Sequence, residues 1–439
     1  MSIPQITSIE APAFLSRTVQ LKGHIQTLRK MGNLIFLVLR DRTGSLQFVV
    51  EDPDVVAQVE NLQCETPVEI SGEVVEHPGK TTPSSGPRKV EIRTLSVRSL
   101  ASPPGPLPVE ISKDKRVDTL SVPSMLDYRP LTLRNPKVRA IFKIAACLSK
   151  SFRDFLTEQD FVEIHSPKIV ATGTEGGSNL FRLDYFGKQA FLAQSPQFYK
   201  QIMVGVFERV FEVAAVYRAE EHDTSRHMNE YVSMDFEIGF IENEQDLIAM
   251  QTNLLRFMFE STAQKCASEL ALHETELPTI STIPQITLAD ASELLQRSYN
   301  WKTDGPDLDP EGERLLCEHF SKTENSEFVY VTQYPVEIRP FYAMPLNGKL
   351  THSFDLLYRG LEVTTGGQRI HEYEQLTQSI ISRGMAPESF ADYLQCFQYG
   401  MPPHGGLAIG LERLVKQILG LSNVKLASLF PRDRNRLSP

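Results

Sequence analysis

The chain has 439 residues, 41% hydrophobic and 23% charged, with a formal net charge of −10 from 45 basic and 55 acidic residues. That length allows roughly two to four domains, and the composition supplies a large core. The charge excludes a basic nucleic-acid coat and leaves room for RNA only in a local groove. Five widely spaced cysteines without a CxxC pair argue against a disulfide framework or zinc site.

Met1 to Val19 has neither a charged-then-apolar export signal nor an arginine-rich transit bias, and no apolar run reaches membrane-spanning length. These features predict a cytoplasmic protein with reduced thiols and no membrane partner.

Five strands are expected between Arg17 and Ser99: Val19–Ile25, Leu34–Asp41, Leu46–Val50, Val68–Val75 and Lys89–Val97, with a short helix over Pro53–Leu62. Five strands and one helix fit an OB-fold barrel, a fold used for single-stranded nucleic acid, although a generic small barrel fits the same pattern. Gly79–Pro87 reads as a flexible loop, and Ala101–Pro108 is proline-rich, a semi-rigid boundary. The expected division is a barrel domain over 1–102, a linker and hinge over 103–133, and a larger domain over 134–439.

In that larger domain, apolar residues recur at helical spacing from Asn135 to Gln159: Val138, Ile141, Ile144, Leu148, Phe152 and Phe155. Residues 244–335 mix helical stretches with a polar segment and read as an insertion without chemistry. Strands return at Phe328–Val331, Ser353–Tyr358 and Leu361–Thr365, and Ile380–Tyr399 reads as helical. The fold class is therefore α+β: the barrel, then an antiparallel sheet flanked by helices.

Two stretches carry the chemistry. Phe211–Tyr217 and Tyr231–Met234 are β-prone and enclose Arg218-Ala219-Glu220-Glu221-His222-Asp223-Thr224-Ser225-Arg226-His227-Met228-Asn229. Arginines and a histidine at a hairpin mouth suit a polyphosphate, because guanidinium binds phosphate bidentately and keeps its charge. Glu220 between them suits an amino group; a solvated loop of surface ion pairs is the plainer alternative. Far downstream, Gly405-Gly406-Leu407-Ala408-Ile409-Gly410 runs into a helix opening with Leu411-Glu412-Arg413, where glycines permit close approach of a ligand and a helix N-terminus favours anions.

Together these stretches resemble motifs 2 and 3 of the class II aminoacyl-tRNA synthetases, and Phe161-Val162-Glu163-Ile164-His165-Ser166-Pro167 resembles motif 1. Thr172–Gly177, Gln194–Lys200, Arg218–His222, Gly366–Arg369 and Phe430–Arg434 narrow the likeness to the compact archaeal-type aspartyl enzymes, over nearly the whole chain.

The resemblance implies ligation of L-aspartate to tRNA in two steps: ATP-dependent formation of aspartyl-adenylate, then transfer to the terminal adenosine. It makes Arg218 and Arg413 the catalytic cations. Arg218 bridges the substrate carboxylate and α-phosphate, Arg226 and His227 hold the outer phosphates, and Arg413 meets the γ-phosphate and adenine face. Glu220 reads the adenine amino group, and Ala219, Met228, Gly410, Leu411 and Glu412 complete the ATP site. Glu362 and Thr365, where serine is the expected residue, hold Mg²⁺, which prefers oxygen ligands and phosphates. Lys200 and Arg369 neutralise the aspartate side chain beside Gln197, while Glu175 and Asp235 suit its ammonium.

The likeness also implies an anticodon site of Arg29, Phe36, Gln47 and Glu91 on the barrel. Taken alone, Phe36 reads as barrel core. Gln26 and Pro87 stand where strict and relaxed family members differ: Pro87 resembles the relaxed ones, while Gln26 matches neither pattern but carries an amide that can both donate and accept, and together they predict charging of tRNA-Asn as well as tRNA-Asp. Relaxed charging implies a partner amidotransferase acting on Asp-tRNA-Asn. A homodimer around Asn135–Pro167 follows from the same likeness. One alternative is an asparaginyl enzyme, disfavoured because a buried Lys200 opposite a neutral amide lacks compensation. Another is a tRNA-binding paralogue without catalysis, disfavoured by the presence of Arg218, Arg226, Arg369 and Arg413.

Overall fold

The structure, a computed structural model, describes residues 3–78, 89–103, 105–174, 180–303 and 305–439; the expected loop at 79–87, Pro87 and Glu175 lie outside them. The chain divides into two units, Met1–Leu120 and Ser121–Pro439.

In the first unit, β1 (Thr18–Met31), β2 (Leu34–Arg40), β3 (Ser45–Val50), β4 (Pro67–Glu76) and β5 (Val90–Ser99) close a barrel in the order β1-β2-β3-β5-β4. Alternation builds it: Ile35, Leu37 and Leu39 are buried in the core, while Phe36 and Val38 point outward. Burying each such side chain contributes roughly 1.5–3 kcal/mol. β1 runs six residues past its expected end at Ile25, because a bulge at Gln26 redirects it along β2. A Cβ on Gly23 would lie 2.5 Å from the Arg40 carbonyl oxygen, so glycine permits the close strand crossing there.

The second unit is built on a sheet whose strands are β6 (Val162–Glu163), β10 (Arg209–Tyr217), β11 (Glu230–Gly239), β12 (Gln285–Thr287), β13 (Phe328–Thr332), β14 (Ser353–Tyr358), β15 (Leu361–Arg369) and β16 (His404–Gly410). Their order is β12-β13-β14-β15-β16-β11-β10-β6, antiparallel except at the edge pairs β12/β13 and β10/β6. A separate small sheet contains β7 (Ile169–Val170), β8 (Arg182–Tyr185) and β9 (Lys188–Leu192).

The long helix spans Pro136–Glu158, capped by Asn135 Oδ1, which accepts from the amides of Lys137 and Val138 at 2.9 and 3.2 Å. Its apolar stripe packs on the Glu244–Lys265 and Leu411–Leu419 helices. Leu156 takes the buried place at its end, while Phe155 rests against Phe257.

Three expectations are corrected. Residues 244–335 are no appendage: the Glu244–Lys265 helix belongs to the core, and β12 and β13 are strands of the main sheet. The expected helix over 380–399 breaks into Tyr373–Ser382, a 3-10 turn at Pro387–Phe390, and Ala391–Gln398. Gly384 at φ +72° and Pro387 account for the break. The linker and hinge expected over 103–133 belongs to the second unit from Ser121 on, where fully buried Arg129 donates from Nε to the Leu429 carbonyl at 2.8 Å and from Nη2 to that of Leu426 at 3.0 Å.

Candidate active site

The alternation of β11 creates the site. Met234 and Phe236 point into the core, so Ser233, Asp235 and Glu237 face the other way. Register extends this polar face: Asp235 pairs with Ala408 on β16, Ala408 with Thr365 on β15, and Thr365 with Asp355 on β14. One row of the sheet thus carries an acid, a small residue, a hydroxyl and an acid. Above it lies a cavity of about 470 Å³.

Of the residues singled out from the sequence, Gln197, Lys200, Arg218, Glu220, Arg226, His227, Met228, Asp235, Glu362, Thr365, Arg369, Gly410, Glu412 and Arg413 line this cavity. Ala219 and Leu411 stand off the lining, and the Leu411 side chain belongs to the hydrophobic core.

At one end four charges interlock. Lys200 Nζ lies 3.0 Å from Asp235 Oδ1 and 3.2 Å from Glu237 Oε2, and it donates to the Leu407 carbonyl at 3.3 Å. Arg369 Nε donates to Glu237 Oε1 at 3.0 Å, and its Nη2 to the Gly406 carbonyl at 2.9 Å. Burial alone would raise the Glu237 carboxyl, but Arg369 and Lys200 outweigh burial and hold it below the ordinary range. Gly406 makes room: a Cβ there would sit 2.1 Å from the Phe236 carbonyl oxygen and 2.2 Å from Glu237 Oε2. This pairing corrects one sequence argument. Lys200 is compensated inside the protein by Asp235 and Glu237, so its burial does not by itself exclude a neutral substrate amide.

Gln197 is held by a buried chain. Its Nε2 donates to Gln201 Oε1 at 3.0 Å, which also accepts from the Tyr393 hydroxyl at 3.0 Å. Gln201 Nε2 contacts His404 Nε2 at 2.8 Å, and His404 Nδ1 contacts the Pro402 carbonyl at 2.9 Å. A carbonyl only accepts, so Nδ1 carries the proton and Nε2 accepts. Burial pushes His404 down to about 4, keeping it neutral.

The other end collects cations. Arg218 lies with its guanidinium carbon 5.8 Å from the Tyr231 ring centroid. Asn229 closes the loop, its Nδ2 donating to the carbonyls of Arg218 and Glu220 at 2.8 and 3.1 Å. Thr224 Oγ1 sits 2.7 Å from His227 Nδ1; burial and nearby Arg413 lower the His227 pKa. Arg413 Nη1 donates to Glu362 Oε1 at 3.3 Å and to its carbonyl at 3.1 Å. Glu412, by contrast, accepts from the Val232 amide at 3.2 and 3.1 Å through its two oxygens, and burial pushes it up to about 7. Its side chain braces the helix start against β11.

Glu362, Thr365 and Asp355 form an oxygen cluster: Thr365 Oγ1 donates to Asp355 Oδ1 at 2.5 Å and lies 3.4 Å from Glu362 Oε1. Arg339 Nη2 lies 2.7 Å from Asp355 Oδ2 and its guanidinium stacks on Tyr334 at 3.6 Å.

Sequence reasoning missed Glu237, Asp355, Arg339 and Glu313. The first two had a signal: each is an acid inside an apolar strand, and Glu237 falls two residues from Asp235, on the same face. Arg339 and Glu313 had none.

On the barrel, Arg29 and Phe36 are cross-strand partners, and Gln47 pairs with Val38. Phe36 is half-buried on the outer face, so the core reading is overturned. Gln47 Nε2 donates to Glu91 Oε2 at 2.8 Å, and Gln26 Oε1 accepts from Ser45 Oγ at 2.6 Å.

Residues 121–434 match the family model for class II tRNA synthetases (D, K and N), and residues 19–100 match that for the OB-fold nucleic acid binding domain. An aspartate–tRNA(Asp/Asn) ligase of Deinococcus radiodurans is 48% identical over 98% of each chain. An aspartate–tRNA(Asp) ligase of Thermococcus kodakarensis is 40% identical over 96% of each. Among solved structures, the asparaginyl-tRNA synthetase of Pyrococcus horikoshii complexed with asparaginyl-adenylate superposes with a TM-score of 0.90 at 29% identity, over 100% of both chains.

Proposed function

The chain belongs to the class II tRNA synthetases (D, K and N), and on that footing we propose how its residues divide the work. The reaction is ligation of L-aspartate to tRNA, with ATP as substrate. The fold is shared with an asparaginyl enzyme and does not choose the amino acid; the aspartate ligases 40–48% identical over nearly the whole chain support aspartate.

Lys200 and Arg369 receive the side-chain carboxylate of aspartate, and Gln197, fixed by its buried chain, orients the substrate beside them. The observation that carries this reading is Glu237, whose two carboxylate oxygens hold Lys200 at 3.2 Å and Arg369 at 3.0 Å. Before binding, Lys200, Arg369, Asp235 and Glu237 balance to neutrality. A substrate carboxylate then meets two preorganised donors, and its ammonium has Asp235 at hand, with Glu175 assigned the same task. Arg218 spans the carboxylate under attack and the α-phosphate. Arg226, His227 and Arg413 take the outer phosphates and adenine face, with Glu220 at the adenine amino group. Fixed cations where charge develops lower the barrier because they need no reorganisation.

Glu362 and Thr365 would supply oxygen ligands of the kind Mg²⁺ prefers, with Asp355 bonded to the Thr365 hydroxyl beside them. Bound there, Mg²⁺ neutralises phosphate charge.

The barrel face of Arg29, Phe36, Gln47 and Glu91 reads the anticodon, with base stacking on Phe36 contributing roughly 1–3 kcal/mol. Relaxed charging of tRNA-Asn alongside tRNA-Asp, a cytoplasmic setting, an amidotransferase partner and a homodimer around Asn135–Pro167 complete the reading. Among the described residues, no helix is long and apolar enough to cross a membrane. Aspartate-dependent ATP–pyrophosphate exchange tests the amino-acid assignment directly: exchange with asparagine but not aspartate overturns it.

A further inference from the structure

One carboxylate beside the cavity joins two parts of its wall to a neighbouring helix. The helix Pro310–Glu324 begins in a rigid turn: Asp309 Oδ1 accepts from the Gly312 amide at 2.7 Å and from the Trp301 indole Nε1 at 2.9 Å. A Cβ on Gly312 would lie 2.9 Å from Trp301 Cζ2, so the turn packs directly on the indole. The next residue is Glu313. Its Oε2 accepts from the Glu362 backbone amide at 2.9 Å and from Arg226 Nη2 in a salt bridge. Both side chains are largely buried, 12% exposed for Glu313 and 18% for Arg226. The segment read from sequence as chemically silent thus reaches the arginine-bearing loop and the strand bearing Glu362.

We propose that Glu313 is a positioning residue for ATP, holding Arg226 by one end of its guanidinium so that its other N–H donors face the outer phosphates. The inference rests on the assignment of Arg226 to those phosphates. A guanidinium is planar and carries five donors in fixed directions, so anchoring one nitrogen sets the plane of the rest. An arginine on a charged loop otherwise loses rotamer freedom when it binds; here that freedom is removed beforehand. The anchor is itself fixed, because Glu313 also accepts from the β15 backbone and grows from a turn with no slack.

The test is ATP–pyrophosphate exchange on the full chain with Glu313→Ala, the near-isosteric Glu313→Gln, Arg226→Ala and the Glu313→Ala/Arg226→Ala double variant. Glu313→Ala should raise the KM for ATP roughly tenfold, as expected for losing one charge-assisted hydrogen bond. The KM for aspartate should stay within about twofold. Glu313→Gln should fall between wild type and alanine, because it keeps the acceptor for the Glu362 amide and loses the charge. The double variant should be no worse than Arg226→Ala, since the two act through one group. An unchanged or lowered KM for ATP in both Glu313 variants, or losses that multiply in the double variant, overturn the proposal. If Arg226→Ala leaves the KM for ATP unchanged, the phosphate assignment itself fails instead.

Discussion

Glu237 and Arg369 form a 3.0 Å salt bridge whose carboxylate is wholly buried, and the second carboxylate oxygen lies 3.2 Å from Lys200. Removing this charge leaves Arg369 without its carboxylate partner and Lys200 with Asp235 alone. Glu237→Gln is expected to cost about 3–5 kcal/mol at pH 7, the range for breaking a buried pair. The sign of the pH dependence follows from the depressed carboxyl. A folded value below the unfolded one stabilises fully above the unfolded value, and that stability is lost as pH falls through the folded one. Urea titrations should therefore show the gap between wild type and variant steady near neutrality and closing below about pH 4.5. A gap that widens on acidification contradicts the assignment.

The cations at the phosphate end make a separate prediction. Arg218→Ala and Arg413→Ala should fold, because each guanidinium faces the cavity and neither anchors the core. Each should lose on the order of 10²–10³ in the rate of adenylate formation, the typical effect of one preorganised contact. Near-normal exchange by both folded variants would sink the active-site reading.

Lys200→Met separates the two substrates. Methionine fills a similar volume without charge, so it should raise the KM for aspartate at least about tenfold while that for ATP moves little. Some stability goes with it, because Asp235 loses its ammonium partner at 3.0 Å. The ratio of the two KM values is thus the measurement to make, well below the melting temperature. Equal rises in both would point to general loosening of the sheet.

The sequence was most legible where one local rule dominated. Asn135 followed by Pro136 marks a helix start, and the stripe from Val138 to Phe152 is its buried face. Arg226, His227 and Arg413 stand out as charges beside apolar strands. What stayed hidden depended on register. Asp235, Ala408, Thr365 and Asp355 come from four strands and form a row only once the sheet order is known. Glu313 was invisible for a related reason: its partners Arg226 and Glu362 lie 87 and 49 residues away, and nothing near it distinguishes it from the other acids of its helix. The break near Gly384 was missed because apolar spacing continues on both sides, while one backbone angle ends the helix.

The last prediction concerns the tRNA. Gln26 is the bulged residue of β1, half-buried, and its Oε1 accepts from Ser45 Oγ at 2.6 Å. That bond uses one of the two carbonyl lone pairs, so the amide can still accept through the other and donate through its NH2. The anticodons of tRNA-Asp and tRNA-Asn differ only in their third base, C against U. Both pyrimidines carry a ring carbonyl able to accept from such a donor, whereas the edge that distinguishes them is an amino group in one and a carbonyl in the other. A contact that reads that edge well discriminates by roughly 1–3 kcal/mol, but an amide that can both donate and accept tolerates either base. The expected outcome is therefore aspartylation of both purified tRNAs at matched concentration, with kcat/KM values within about a hundredfold. Ser45→Ala, which frees the amide to turn, should change the ratio between the two tRNAs and leave aspartate-dependent ATP–pyrophosphate exchange untouched. A preference for tRNA-Asp well beyond a hundredfold would exceed what one such contact supplies, and would assign discrimination to groups other than Gln26.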